Sequence, residues 1–167
     1  MKNFNLNTKN SEEWFTPPEL IKALGEFDLD PCSPVNRPWD TAKKHYTKEV
    51  DGLKQKWEGR VWLNPPYGKE TFKWIERLAN HGDGIALIFA RTDTKGFHEQ
   101  IFAKADGIFF FKGRISFYNA EGRKGPANAP SCLVIFGMQN IYPVFKAMKE
   151  QLINGCLINN NGHWKES

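Results

Sequence analysis

The order of apolar and amphipathic segments predicts an α/β domain: a mostly parallel central sheet with helices on both faces. Three observations carry this expectation. Residues 61–63 (VWL) and 84–90 (GIALIFA) are short, continuously apolar runs, as expected of strands buried from both sides. Between them, residues 70–78 place Phe72, Ile75 and Leu78 at helical spacing on one face. The same alternation of strand and helix continues toward the C-terminus. At 167 residues the chain can bury one substantial core, so we read 1–11 as a loose arm and 12–167 as one domain.

Taken in order, residues 1–11 are polar and rich in Asn and Lys, a composition that favours a mobile segment. Pro17 and Pro18 then open a helix for which Thr16 is the expected N-cap and Gly25 the stop. Leu20, Ile21 and Leu24 form its buried stripe. Residues 27–30 make a short strand ending at Pro31, and 61–63 make another ending at Asn64-Pro65-Pro66. After the helix at 70–78 and the strand at 84–90, the pattern gives a helix over 96–105 and strands over 107–111 and 131–136. A closing helix covers 141–152. Residues 114–130, rich in Gly, Asn, Pro and basic side chains, read as an exposed loop.

Composition excludes several classes. With 40% hydrophobic and 25% charged residues the chain is globular rather than disordered. Its net charge of +4 is compatible with a polyanionic partner without requiring one. Cys32, Cys132 and Cys156 form no CxxC pair, and the histidines show no ligand spacing, so neither a disulfide framework nor a metal site is expected. No stretch has the apolar length of a signal peptide or a membrane span, and we expect a soluble cytoplasmic protein.

The chemistry concentrates in Asn64-Pro65-Pro66-Tyr67, which directly follows an apolar strand and precedes a helix. In open α/β sheets, ligands bind at the carboxyl ends of strands. The amino group of an aromatic base is a poor nucleophile because its lone pair is delocalised into the ring. Acceptors from the Asn64 side chain and the Pro65 carbonyl can bind both amino hydrogens and draw that nitrogen toward tetrahedral geometry. Prolines at 65 and 66 stiffen the loop, and Tyr67 can stack on an extruded base. The plainer alternative is a turn, since Asn and Pro are ordinary loop residues.

On these residues the chain resembles the phage-type DNA N6-adenine methyltransferases, within the wider amino-methyltransferase superfamily, over about Glu13 to Phe136. The resemblance implies a Rossmann-like fold, S-adenosylmethionine as methyl donor, duplex DNA with a flipped adenine as substrate, and no catalytic metal. It also implies a phage or prophage protein acting in a bacterial cytoplasm. Trp14-Phe15-Thr16-Pro17 is similar to the family's opening motif, which makes Trp14, Phe15 and Thr16 donor contacts. Asp30-Pro31 resembles the first-strand motif at the donor, and Asp51 the acidic contact to the donor's adenine, with Asn64 beside both. Tyr67, Arg114 and Phe117 are the implied contacts to the target base and its strand. Asp30 and Asp51 also suit simple turns, and Trp39, Trp57, Trp62 and Trp74 read as packing residues. Cys32-Ser33-Pro34 stands where relatives carry a Gly-rich loop. Two other readings remain open at this point: methylation of protein glutamine or RNA guanine, and a catalytically silent DNA-binding module of the same fold.

Overall fold

The computed structural model describes residues 14–160, so the polar arm expected over 1–11 lies outside the described residues. The described residues begin their elements with α1 (Pro18–Leu24), β1 (Leu29–Asp30), β2 (Lys44–His45), β3 (Val61–Leu63), α2 (Thr71–His81) and β4 (Gly84–Phe89). Next come α3 (Lys95–Phe97), which runs into a π-helical turn at His98–Phe102, then β5 (Gly107–Phe111), β6 (Ser116–Tyr118) and β7 (Lys124–Pro126). The last described elements are β8 (Ser131–Phe136), α4 (Ile141–Lys149) and β9 (Gly155–Asn159).

Seven strands form one sheet in the order β2-β1-β3-β4-β8-β5-β9. The half running from β2 to β4 is parallel. The longer ladders are not: β8 lies antiparallel between β4 and β5, and β9 is antiparallel to β5. The expectation of a mostly parallel sheet is therefore corrected to a mixed one. The reason lies between β5 and β8, where no helix carries the chain back across the sheet. A strand that returns beside its predecessor without a crossover must run antiparallel.

Side chains alternate between two cores, one per sheet face. Val61, Leu63, Ala86, Ile88, Ile108, Cys132 and Val134 pack with α2, α3 and the π turn through Ile75, Leu78, Phe97 and Ile101. Trp62, Ile85, Leu87, Phe109, Leu133 and Ile135 pack with α1 and α4 through Leu20, Leu24, Val144 and Ala147. Helices thus cover both faces, and this alternation explains why the central strands read as unbroken apolar runs.

Other local expectations change. Pro17, not Thr16, occupies the N-cap of α1, with no side-chain cap, although the prolines in the first turn and the break at Gly25 are as read. The helix expected over 96–105 is one short α turn followed by a π turn. The closing helix ends at Lys149, and a further edge strand, β9, follows it. The exposed loop expected at 114–130 contains an antiparallel hairpin, β6–β7, with Phe117 and Asn119 buried.

Candidate active site

Because β1, β3 and β4 run parallel, their carboxyl ends reach the same edge of the sheet. There Asp30 closes β1, Asn64 follows β3, and Phe89 closes β4. Antiparallel β8 starts opposite, with Ser131 paired to Phe89, so the hairpin that feeds β8 arrives at the same edge. The N-terminal segment joins it: Phe15 and Tyr118 exchange backbone hydrogen bonds of 2.7 and 3.1 Å. Together these parts enclose a cavity of about 900 Å³. That volume lies near the top of the roughly 300–1,000 Å³ range for small-molecule sites.

The cavity collects most of the residues singled out from sequence. Trp14, Phe15, Thr16, Asp30, Pro31 and Asp51 line it, as do Asn64, Pro65, Pro66, Tyr67 and Phe117. Arg114 is exposed and does not contribute to the wall. The same holds for Asp40, which instead pairs with Arg37 at 2.9 Å. The wall also holds residues that the sequence does not assign to a site, among them the rings of Trp39, Trp74 and Phe89 and the polar Arg37, Thr41 and Lys48. Phe89 lies next to the end of the apolar run 84–90, which is the signal the sequence offers for it. Nothing local distinguished Trp39.

The motif is tied down by side chains. The Asn64 amide nitrogen donates to the Thr16 hydroxyl at 3.3 Å, and the Tyr67 hydroxyl donates to Asn64 Oδ1 at 3.3 Å. The Tyr67 ring stacks on Phe89 at 4.0 Å between centroids and 15° between planes, yet the residue stays 41% exposed. The Thr71 hydroxyl donates to the Pro66 carbonyl at 2.8 Å, which anchors the loop to the start of α2. The Trp39 indole donates to the Thr16 carbonyl at 2.9 Å and meets Phe15 and Tyr118 edge-on.

Asp30 is 3% exposed. It accepts from the Cys32 backbone at 3.0 Å and from the Thr41 hydroxyl. Burial nevertheless pushes its pKa from 3.8 up to about 6, against the pull of Thr41, Cys32 and Arg37. Burial, with Asp30 beside it, also lifts the Cys32 thiol to about 12, which leaves it protonated and inert as a nucleophile. Asp51 adopts φ 51° and pairs with Lys54 at 3.0 Å, which holds its carboxyl below the usual range. Its neighbour Gly52 passes so close to Pro31 that a Cβ would lie 1.9 Å from the Pro31 carbonyl oxygen. Only glycine permits that approach, which brings the Asp51 turn to the end of β1.

All three cysteines are free. Among the described residues no group of three or more His, Cys, Asp or Glu side chains is placed to hold a metal ion. No helix among them is long and apolar enough to cross a membrane. The family model described as DNA N-6-adenine-methyltransferase (Dam) matches residues 3–154. No curated protein and no solved structure matches the chain.

Proposed function

The chain belongs to the DNA N-6-adenine-methyltransferase (Dam) family, and from that premise we propose that it transfers a methyl group from S-adenosylmethionine to N6 of an adenine flipped out of duplex DNA. Residues 12–167 act in this reading as one methyltransferase domain of Rossmann-like ancestry, encoded by a phage or prophage.

The observation that carries the proposal is the Asn64 amide on the wall of a cavity large enough for a nucleoside beside a donor. The donor set fits S-adenosylmethionine. The Asp30 carboxylate suits its cationic amino-acid end, Asp51 suits the amino group of its adenine, and the Trp14 and Trp39 rings suit a cation. When bound, S-adenosylmethionine supplies a methyl group already activated by its sulfonium.

The chain's own residues then orient the acceptor. A side-chain amide oxygen has two lone pairs, and Tyr67 occupies one of those on Asn64 Oδ1. The second accepts one amino hydrogen of the base, and the Pro65 carbonyl accepts the other. Both contacts favour a pyramidal nitrogen, so they are stronger in the transition state than in the ground state. Tyr67, stacked on Phe89 through one face, offers the other to the base, and Phe117 is a further ring on the cavity wall. Arg114 and the basic residues of the hairpin supply contacts to the phosphate backbone.

The test is to incubate the protein with methyl-labelled S-adenosylmethionine and unmethylated duplex DNA, digest the product, and identify the labelled base. N6-methyladenine is the expected product, with transfer reduced at least a hundredfold in Asn64→Ala, on the order seen for loss of one transition-state hydrogen-bonding group. Label confined to protein or RNA, or undiminished transfer by Asn64→Ala, overturns the reading.

A further inference from the structure

An asparagine amide can be flipped end for end at almost no steric cost, yet only one orientation presents an acceptor to an amine. Something must therefore select the orientation of Asn64. Resting on the reading of Asn64 as the acceptor for the target amine, we infer that Thr16, through its hydroxyl, is a positioning residue that turns the amide oxygen of Asn64 toward the base.

Two hydroxyls touch this amide: Thr16 Oγ1 at the nitrogen and Tyr67 OH at the oxygen, each at 3.3 Å. Either hydroxyl can donate or accept, so the pair is not equivalent only because of their chemistry. A phenol oxygen shares its lone pair with the ring, which makes Tyr67 the stronger donor and the poorer acceptor. An aliphatic hydroxyl retains its lone pairs, so Thr16 is the better acceptor. The observed arrangement, Tyr67 giving to Oδ1 and Thr16 receiving from Nδ2, places each group in its better role.

Thr16 can impose this choice because its own position is fixed from three sides. The following Pro17 restricts its backbone to extended conformations. On its N-terminal side, Phe15 is paired with Tyr118 of the hairpin. Its carbonyl receives the Trp39 indole at 2.9 Å, and the residue is 4% exposed. A buried hydroxyl on a fixed backbone is a firm reference for a neighbour held on a short strand end.

The experiment compares Thr16→Val and Thr16→Ser with the wild type. Val keeps the shape of Thr but has no acceptor; Ser keeps the hydroxyl. Turnover on adenine in DNA is measured at saturating S-adenosylmethionine, and affinity for S-adenosylmethionine is measured separately by calorimetry. In Thr16→Val, kcat is expected to fall about tenfold to a hundredfold while donor affinity falls by a smaller factor; Thr16→Ser restores most of kcat. Thermal melting of both variants confirms that folded protein is compared. Retained kcat in Thr16→Val, or a loss confined to donor affinity, overturns the positioning role while leaving the methyltransferase reading intact. A wild type that methylates no adenine overturns both.

Discussion

At the scale of single residues, Asp30 combines burial with a place on the cavity wall, and the two have opposite consequences for charge. Its folded-state pKa of about 6 lies above the ordinary 3.8. Between those values the folded protein holds a proton that the unfolded chain has released, so stability falls as pH rises from about 4 to about 6 and stays lower above it. Asp30→Asn removes the charge, keeps an acceptor for the Cys32 amide, and is expected to stabilise the protein by about 1–3 kcal/mol at pH 8, read by urea unfolding. The same substitution is expected to flatten the dependence of stability on pH across that window. A cationic donor beside Asp30 favours the carboxylate, so wild-type affinity for S-adenosylmethionine should weaken as pH drops below about 6. Calorimetry of Asp30→Asn should show weaker binding with little change over that interval; an unchanged slope separates Asp30 from the donor.

At the scale of elements, the β6–β7 hairpin is what converts a sheet edge into an enclosed site. Gly125 on β7 lies against the Trp14 ring, where a Cβ would come within 2.5 Å of the indole. Since Trp14 is 42% exposed, the ring can swing away rather than unfold the hairpin. Gly125→Ala is therefore expected to weaken S-adenosylmethionine binding about threefold to tenfold while melting within a few degrees of wild type. Unchanged affinity would show that this wall does not touch the donor. The hairpin is also the element least legible in the sequence. Local pattern located β3 and β5 to the residue, because their apolar side chains fill both cores. It missed β2 and β9, whose residues are largely exposed and show no buried face. In the hairpin, Gly and Pro hide short strands whose order depends on pairing with Phe15, a contact between distant segments. The strand-end location of Asp30 and Asn64 can be read locally for the same reason that Trp39 cannot: its partner Thr16 is 23 residues away.

At the scale of the whole molecule, the sheet separates chemistry from anchorage. The carboxyl ends of β1, β3 and β4 carry the cavity, and the opposite edge carries a buried polar network centred on Asn140, which is 1% exposed. Asn140 Oδ1 accepts from Arg60 Nε at 2.6 Å, and its amide nitrogen donates to Asp83 and to the Phe136 carbonyl, each at 2.8 Å. Arg60 and Asp83 precede β3 and β4, while Phe136 ends β8, so one side chain ties together the three central strands. The Arg60 guanidinium also lies over the Phe27 ring at 4.2 Å and donates to the Glu26 carbonyl, which draws in the segment before β1. Asn140→Ala strands a partly buried guanidinium nitrogen and a buried carbonyl at once, and losses of that kind cost about 2–4 kcal/mol. Nothing in the network touches Asn64, Tyr67 or Thr16, so turnover per folded molecule should hold at temperatures well below the lowered melting point. Asn64→Ala should behave the opposite way, its half-buried amide, with two long hydrogen bonds of 3.3 Å, contributing little to stability and nearly everything to transfer. Measuring urea midpoints and single-turnover rates for both variants tests the division: a slow but stable Asn140→Ala, or a destabilised Asn64→Ala with normal rates, would place chemistry and anchorage at the same edge of the sheet.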